Sequence, residues 1–266
     1  MQNSAIEWCH DTINLHWGCT PVHEGCDNCY ASALSKRYGY DVWGNNKPRR
    51  IIMSAFEQLD KLQRLAFKTG ETRRVFIGSM MDIFEKPMPA ISSNGEMVTD
   101  TGKLRTVLFK RIEQGRYPDL IFLLLTKRPS NILKYIPEGW KNGCPENVMF
   151  GTSVVNQSTA DKLIPQLLEV PGYLFLSIEP QLDELTLKQW IFECTIHWVI
   201  QGGESGPKRR PFNVDWGRKL RDECFEADVP YFFKQVDKVI PIPDDLMVKE
   251  HFVNIYKTSR KLNSNY

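Results

Sequence analysis

Six short runs, each nearly continuous in apolar residues and each ending in polar ones, punctuate the chain from residue 73 to residue 236: RRVFIGSM (73–80), DLIFLLLTKR (119–128), NVMFGTSV (147–154), YLFLSIEP (173–180), IHWVIQGGES (196–205) and VPYFFKQV (229–236). Strands apolar along their whole length are buried on both faces, as parallel strands covered by helices are. Segments of helical period lie between them. Phe56, Leu59, Leu62 and Leu65 mark one, and Trp216, Leu220 and Cys224 mark another that Asn213 or Asp215 could cap. This alternation predicts βα units around a parallel sheet. With a short strand near residues 12–17 the count reaches seven, which predicts an α/β fold of the (β/α) barrel type, complete or open, in preference to a doubly wound sheet. Residues 1–236 would form the barrel domain, with 85–103 as its longest irregular insertion. Residues 237–266 read as a C-terminal extension, polar and less patterned, packed on the barrel or trailing from it.

Composition narrows the function classes. At 42% hydrophobic and 25% charged residues the chain has the balance of an ordinary soluble globular protein. Its longest apolar run, LIFLLL, is far short of the roughly 20 residues that span a bilayer. The N-terminus lacks the pattern of a secretory signal, so the expectation is a cytoplasmic protein without a membrane partner. A net charge of +2 implies no polyanion partner by itself, and any nucleic-acid case must come from local patches. Seven cysteines, an odd number with four scattered singly, speak against a disulfide framework.

The other three sit close together in WGCTPVHEGCDNCYA (17–31). Cys19, Cys26 and Cys29 at this spacing suit a soft metal centre. Zinc would need a fourth ligand, which His23 could supply as a Cys3His site. A [4Fe-4S] cluster would leave one iron open to S-adenosylmethionine, to which it passes one electron and so yields a 5′-deoxyadenosyl radical. A cysteine loop following the first strand lies at the C-terminal mouth of a barrel, where active sites are built, and this favours the cluster.

IEW (6–8), GCTPVHEGCDNCYA (18–31), SMMDIF (79–84), LLTKRP (124–129), GTSVVNQSTADKLIPQLL (151–168), SIEP (177–180), VIQGGESGPKRRPF (199–212) and FFKQ (232–235) run in order through most of the chain. On these stretches the sequence resembles the phage-associated three-cysteine-motif family, proteins of unknown function described as radical-SAM-like. The resemblance makes Cys19, Cys26 and Cys29 cluster ligands through its C-x6-C-x2-C pattern. It implies a radical enzyme that needs an electron donor, and its phage association suggests modification or repair of a nucleic acid or nucleotide. The chain departs from the family pattern at Leu15, where a proline is expected, at His23, and after FFKQ, where a Trp-Gly continuation is absent.

If the cluster is present, the strand ends beside it supply candidates for S-adenosylmethionine: Asp82, Ser153 and Glu179 as partners of its polar groups, and Gly202, Gly203 and Glu204 as a loop allowing close backbone approach. Tyr30 could pack on the adenine or start the core face of a helix. Lys127, Arg128 and Lys234 would bring positive charge to the mouth for an anionic substrate. Lys208, Arg209 and Arg210, with the pairs Arg49-Arg50 and Arg73-Arg74 and aromatics such as Trp43 and Phe212, suit nucleic-acid contact. Cys144, Cys194 and Cys224 read as small core residues. The competing reading is a non-enzymatic nucleic-acid-binding or interaction protein with a structural Cys3His zinc site.

Overall fold

The computed structural model describes residues 4–192 and 195–252. Its elements run β1 (Asp11–Ile13), β2 (His16–Trp17), α1 (Tyr30–Arg37), β3 (Arg49–Ile51), α2 (Ala55–Thr69), β4 (Arg73–Ile77), β5 (Pro89–Ile91), β6 (Met97–Asp100), α3 (Thr101–Glu113), β7 (Leu120–Thr126), α4 (Ile132–Tyr135), β8 (Val148–Ser153), α5 (Gln157–Leu168), β9 (Tyr173–Ile178), α6 (Lys188–Ile191), β10 (Trp198–Gly202), α7 (Val214–Glu226) and β11 (Tyr231–Gln235). Seven of the strands make one parallel sheet in the order β1-β4-β7-β8-β9-β10-β11. The sheet curls into a half-barrel flanked by helices, and β1 and β11 stay unpaired with each other, so the barrel is open.

The period of two along each strand sorts the apolar residues into two cores. Phe122 and Leu124 of β7 face the helices, where they join Leu59 and Leu62 of α2 and Leu163 and Ile164 of α5. Ile121 and Leu123 of the same strand face inward, into a separate interior cluster with Trp8, Phe76, Phe175, Trp198 and Phe232. Both faces are therefore dry, which is why these strands read as continuous apolar runs. Asn213 accepts a hydrogen bond from the Asp215 amide and caps α7, as expected.

The structure differs from expectation in two places. The strand near 12–17 breaks at Asn14: β1 enters the barrel, and β2 joins a second, four-stranded sheet in the order β2-β3-β5-β6. The Asn14 side chain holds the break, donating to Ser79 Oγ at 2.9 Å and accepting from the Met80 amide at 2.7 Å. The stretch 85–103 is not irregular, since it carries the β5–β6 pair and the start of α3, which Asp100 caps through the Lys103 amide. Strands this short, interrupted by Pro87, Pro89 and an Asn94-Gly95 turn, leave no periodic signal.

Two of the arginine pairs are half internal. Arg49 is fully buried and holds Glu85 with two hydrogen bonds, at 2.9 and 2.7 Å. Arg73 holds buried Asp11 at 2.8 Å. Strand alternation buries one member of each adjacent pair, and a buried guanidinium needs a carboxylate to lie there.

Of the extension 237–266, residues 237–252 are described: Leu246 is buried against Gly217 of α7, and the chain at Val248–Glu250 runs beside β11, where the Phe233 amide donates to Val248 and the Glu250 amide to Tyr231. Residues 253–266 and Cys194 lie outside the described residues. Among the described residues no helix is long and apolar enough to cross a membrane.

Candidate functional site

The C-terminal ends of the strands surround a cavity of about 720 Å3, a volume in the range of small-molecule sites. Cys19, Cys26 and Cys29 all line it, together with Tyr30, Asp82, Lys127, Arg128, Ser153, Glu179 and Lys234. Ten of the residues expected at the site thus converge on one space. Gly202, the last residue of β10, and Gly203, Glu204, Lys208, Arg209 and Arg210 of the loop after it lie outside this lining and do a different job.

The cysteine loop is pinned along its length. Gly18 enters it at φ +114°, and a Cβ there would stand 2.3 Å from the Val42 carbonyl, so only glycine fits. Thr20 receives Arg49 Nη2 on its hydroxyl at 2.9 Å and Arg128 Nη2 on its carbonyl. Farther on, Asn28, between the second and third cysteines, donates to Glu204 Oε2 and to the Lys208 carbonyl, both at 2.9 Å. Arg210 closes this clamp: its guanidinium pairs with Glu204 at 2.7 Å and donates to the Glu24 carbonyl at 3.1 Å. Burial would raise the Glu204 carboxyl, but the hydrogen bonds from Arg210 and Asn28 outweigh it and hold the group below the usual glutamate range. Arg209 is spent on Asp237 at 2.6 Å. The space a Gly203 Cβ would need is filled by the Val236 carbonyl, 2.0 Å away, and by Phe212, so this glycine permits close packing on the chain after β11.

Within the cavity the two carboxylates are already engaged. Asp82 accepts from the Phe84 amide, Thr126 Oγ1 and Arg128 Nη1, the last at 2.6 Å. Glu179 takes Lys234 at 2.8 Å and Trp8 Nε1 at 3.1 Å. Ser153 Oγ is buried on the cavity wall without a hydrogen-bond partner, the condition of a group that a ligand would satisfy. Lys127 and Lys238 line the cavity and form no ion pair among the described residues. Tyr30 stands on the wall, its hydroxyl donating to the Ser79 carbonyl at 2.7 Å, while Ala31 and Ser35 take the buried face of α1.

The three thiols suit a metal-sulfur group by environment. All are free and half-buried. Cys29 is the N-cap of α1 and its side chain makes no capping bond. Burial, reinforced by Asp82, pushes the Cys19 thiol up to about 12 against the pull of Arg128, whose Nη1 lies 3.8 Å from its sulfur. Its proton must therefore be displaced when a metal binds. Among the described residues no three Cys, His, Asp or Glu side chains gather around a single point as one ion would require.

His23 is committed elsewhere. Its Nδ1 accepts the Gly25 amide at 3.1 Å and so caps the turn Glu24–Cys26, which leaves the ring proton on Nε2, buried without a partner. A metal-bound imidazole instead donates from its second nitrogen. Burial, with Lys127 and Arg128 adding repulsion, lowers this imidazole to about 4.

Cys9 and Cys224 are buried and Cys144 is half-buried against the core, and burial raises all three thiols. Sequence reasoning missed Asn28, Thr20 and the Arg49–Glu85 pair. Asn28 was visible inside CDNC as a polar residue between two of the three clustered cysteines, whereas nothing local marks Arg49 as internal.

The chain belongs to a family of proteins of unknown function, DUF5131. The family's sequence profile matches residues 3–243, which takes in the cysteine loop, all seven barrel strands and the clamp. No curated protein matches the chain. A solved structure similar to it is that of a spore photoproduct lyase carrying a cysteine-to-serine substitution, at 12% identity and a TM-score of 0.46, covering 81% of this chain. The chain spans 61% of the length of that structure.

Proposed function

We propose that this DUF5131 protein is a radical S-adenosylmethionine enzyme, with a [4Fe-4S] cluster on Cys19, Cys26 and Cys29, acting in the modification or repair of a nucleic acid or nucleotide. The observation that carries the reading is that three half-buried thiols of one pinned loop line the same cavity at the C-terminal end of an open barrel. When bound, the cluster would supply one electron to the sulfonium of S-adenosylmethionine and release a 5′-deoxyadenosyl radical.

The chain's own residues have definable parts in this. The Glu204–Asn28–Arg210 clamp and the Arg49 and Arg128 bonds to Thr20 tie the cysteine loop to the barrel. Ser153 Oγ offers an unused hydrogen bond to the bound molecule. Trp8, below Glu179, and the interior aromatics keep water out of the lower barrel. Lys127 and Lys238 offer uncompensated positive charge to an anionic substrate. A structural Cys3His zinc site is less well supported, because His23 uses its free lone pair on Gly25.

Anaerobic reconstitution with iron and sulfide tests this. The wild-type protein is expected to turn brown, and after reduction with dithionite to convert S-adenosylmethionine slowly to 5′-deoxyadenosine and methionine, whereas Cys26→Ser should do neither. A colourless protein that retains zinc and loses it in His23→Ala would overturn the reading.

A further inference from the structure

An aromatic path leads from the protein surface into the cavity. Trp17, at the end of β2, lines the cavity, as does Trp43. Trp17 packs edge-on against both Tyr38 and Tyr40, at centroid distances of 5.8 and 5.6 Å, and the two tyrosines lie nearly parallel, 21° apart and 6.0 Å between centroids. Tyr38 is 59% exposed, immediately beyond the last turn of α1, the helix that Cys29 caps. Three rings holding one another in place, with one broad face left in water, form a rigid stacking surface that loses little entropy on binding.

Positive charge accompanies it. The Arg50 guanidinium lies over the Tyr40 ring at 4.2 Å, and neither Arg50 nor the exposed Lys36 and Arg37, adjoining Tyr38, forms an ion pair among the described residues. The nearby acid, Asp41, is neutralised by Lys47. Rings that stack on any base, interleaved with unpaired cations, match the needs of a single strand. A duplex hides its bases and gains nothing from such a face.

We propose that single-stranded nucleic acid binds along Tyr38 and Trp17, with phosphates at Arg37 and Arg50, and that this path delivers a nucleotide into the cavity. The inference rests on the nucleic-acid part of the proposed function and is independent of the cluster. It moves the contact away from Lys208, Arg209 and Arg210, of which the two arginines are consumed by Asp237 and Glu204.

The test uses the purified full chain without added iron and a fluorescein-labelled oligothymidylate, read by anisotropy. Binding is expected to weaken roughly fivefold to a hundredfold in Tyr38→Ala and to persist in Tyr38→Phe. Arg50→Ala should reduce the log-log salt slope by about 0.7. A blunt duplex of the same length should bind more weakly than the single strand. Tyr38 is exposed, so folding of its variants is not at risk, and far-ultraviolet circular dichroism checks it. If Tyr38→Ala binds as well as wild type, or the duplex binds more tightly, the path is wrong while a nucleic-acid substrate still stands. If no oligonucleotide binds although the reconstituted protein cleaves S-adenosylmethionine, the path and the nucleic-acid substrate both fall and the radical chemistry stands.

Discussion

Toward the N-terminal end of the barrel strands the interior is closed by Phe175, Trp198 and Phe232, whereas Ser177 and Glu179, two and four residues beyond Phe175, and Lys234, two beyond Phe232, line the cavity. What changes is side-chain volume and polarity at alternate positions, so one end packs to crystal-like density and the other stays open. The closed end holds the strands at fixed separation, and the open end inherits that rigidity for placing its polar groups.

Removing the largest interior ring breaks the comparison most severely. Trp198 is fully buried, packs on Trp8, Phe175 and Phe232, and donates from Nε1 to the Glu250 carbonyl at 3.0 Å. Trp198→Ala should cost about 3–5 kcal/mol, a large part of a typical domain's stability. Urea unfolding measures it. Ser153→Ala, at the open end, should cost little or nothing, because the hydroxyl it removes has no partner. Equal losses at both ends would mean that the cavity is part of the core.

The cysteines sharpen the same contrast. Cys26→Ser should abolish iron and sulfide incorporation and leave the thermal midpoint of the metal-free protein nearly unchanged. Cys224→Ser should do the reverse, keeping iron while burying a hydroxyl in the apolar layer under α7, at about 1–3 kcal/mol. Iron analysis beside thermal unfolding separates the two.

The closed end was the more legible in the sequence. Runs such as LIFLLLT report a strand buried on both faces directly, and six of the barrel strands were found that way. The open end was legible only as a ring of polar strand ends, which located Asp82, Ser153, Glu179 and Lys234 on the cavity. What sequence could not tell was which polar groups are already used. Glu204 and Arg210 neutralise each other within one loop, and Arg49 and Arg73 are buried on Glu85 and Asp11, partners 36 and 62 residues distant in sequence. The small sheet escaped for a different reason: its strands are two to four residues long, too short for any period to show.

The clamp gives an intermediate effect. Glu204→Gln keeps the shape but loses the charge that Arg210 and Asn28 engage, so the loop should hold the proposed cluster less well, with several-fold faster iron loss from the reconstituted protein to a chelator and a change in midpoint smaller than that of Trp198→Ala. Because the Glu204 carboxyl is held below its usual range, its contribution is present at neutral pH and disappears only as pH falls through that lowered value. Iron loss in the wild type should accelerate on acidification in the same region, and the Gln variant should lack that acceleration.

The smallest expected effect concerns His23. Its folded-state value of about 4 lies below the ordinary 6.5, so between those limits the unfolded chain binds a proton that the folded chain excludes. Stability conferred by the neutral ring is therefore complete above about pH 6.5 and declines as pH falls toward 4. His16, lowered to about 3, and His251, lowered to about 4, act in the same direction, which makes the wild-type curve alone uninformative. The informative quantity is the difference between wild type and His23→Gln. That variant should show a shallower acid decline while retaining iron, because the side chain serves the Gly25 amide and not a metal. Parallel pH curves would remove the capping role, and loss of iron together with a flattened curve would make His23 a ligand and join the loop's structure to its chemistry.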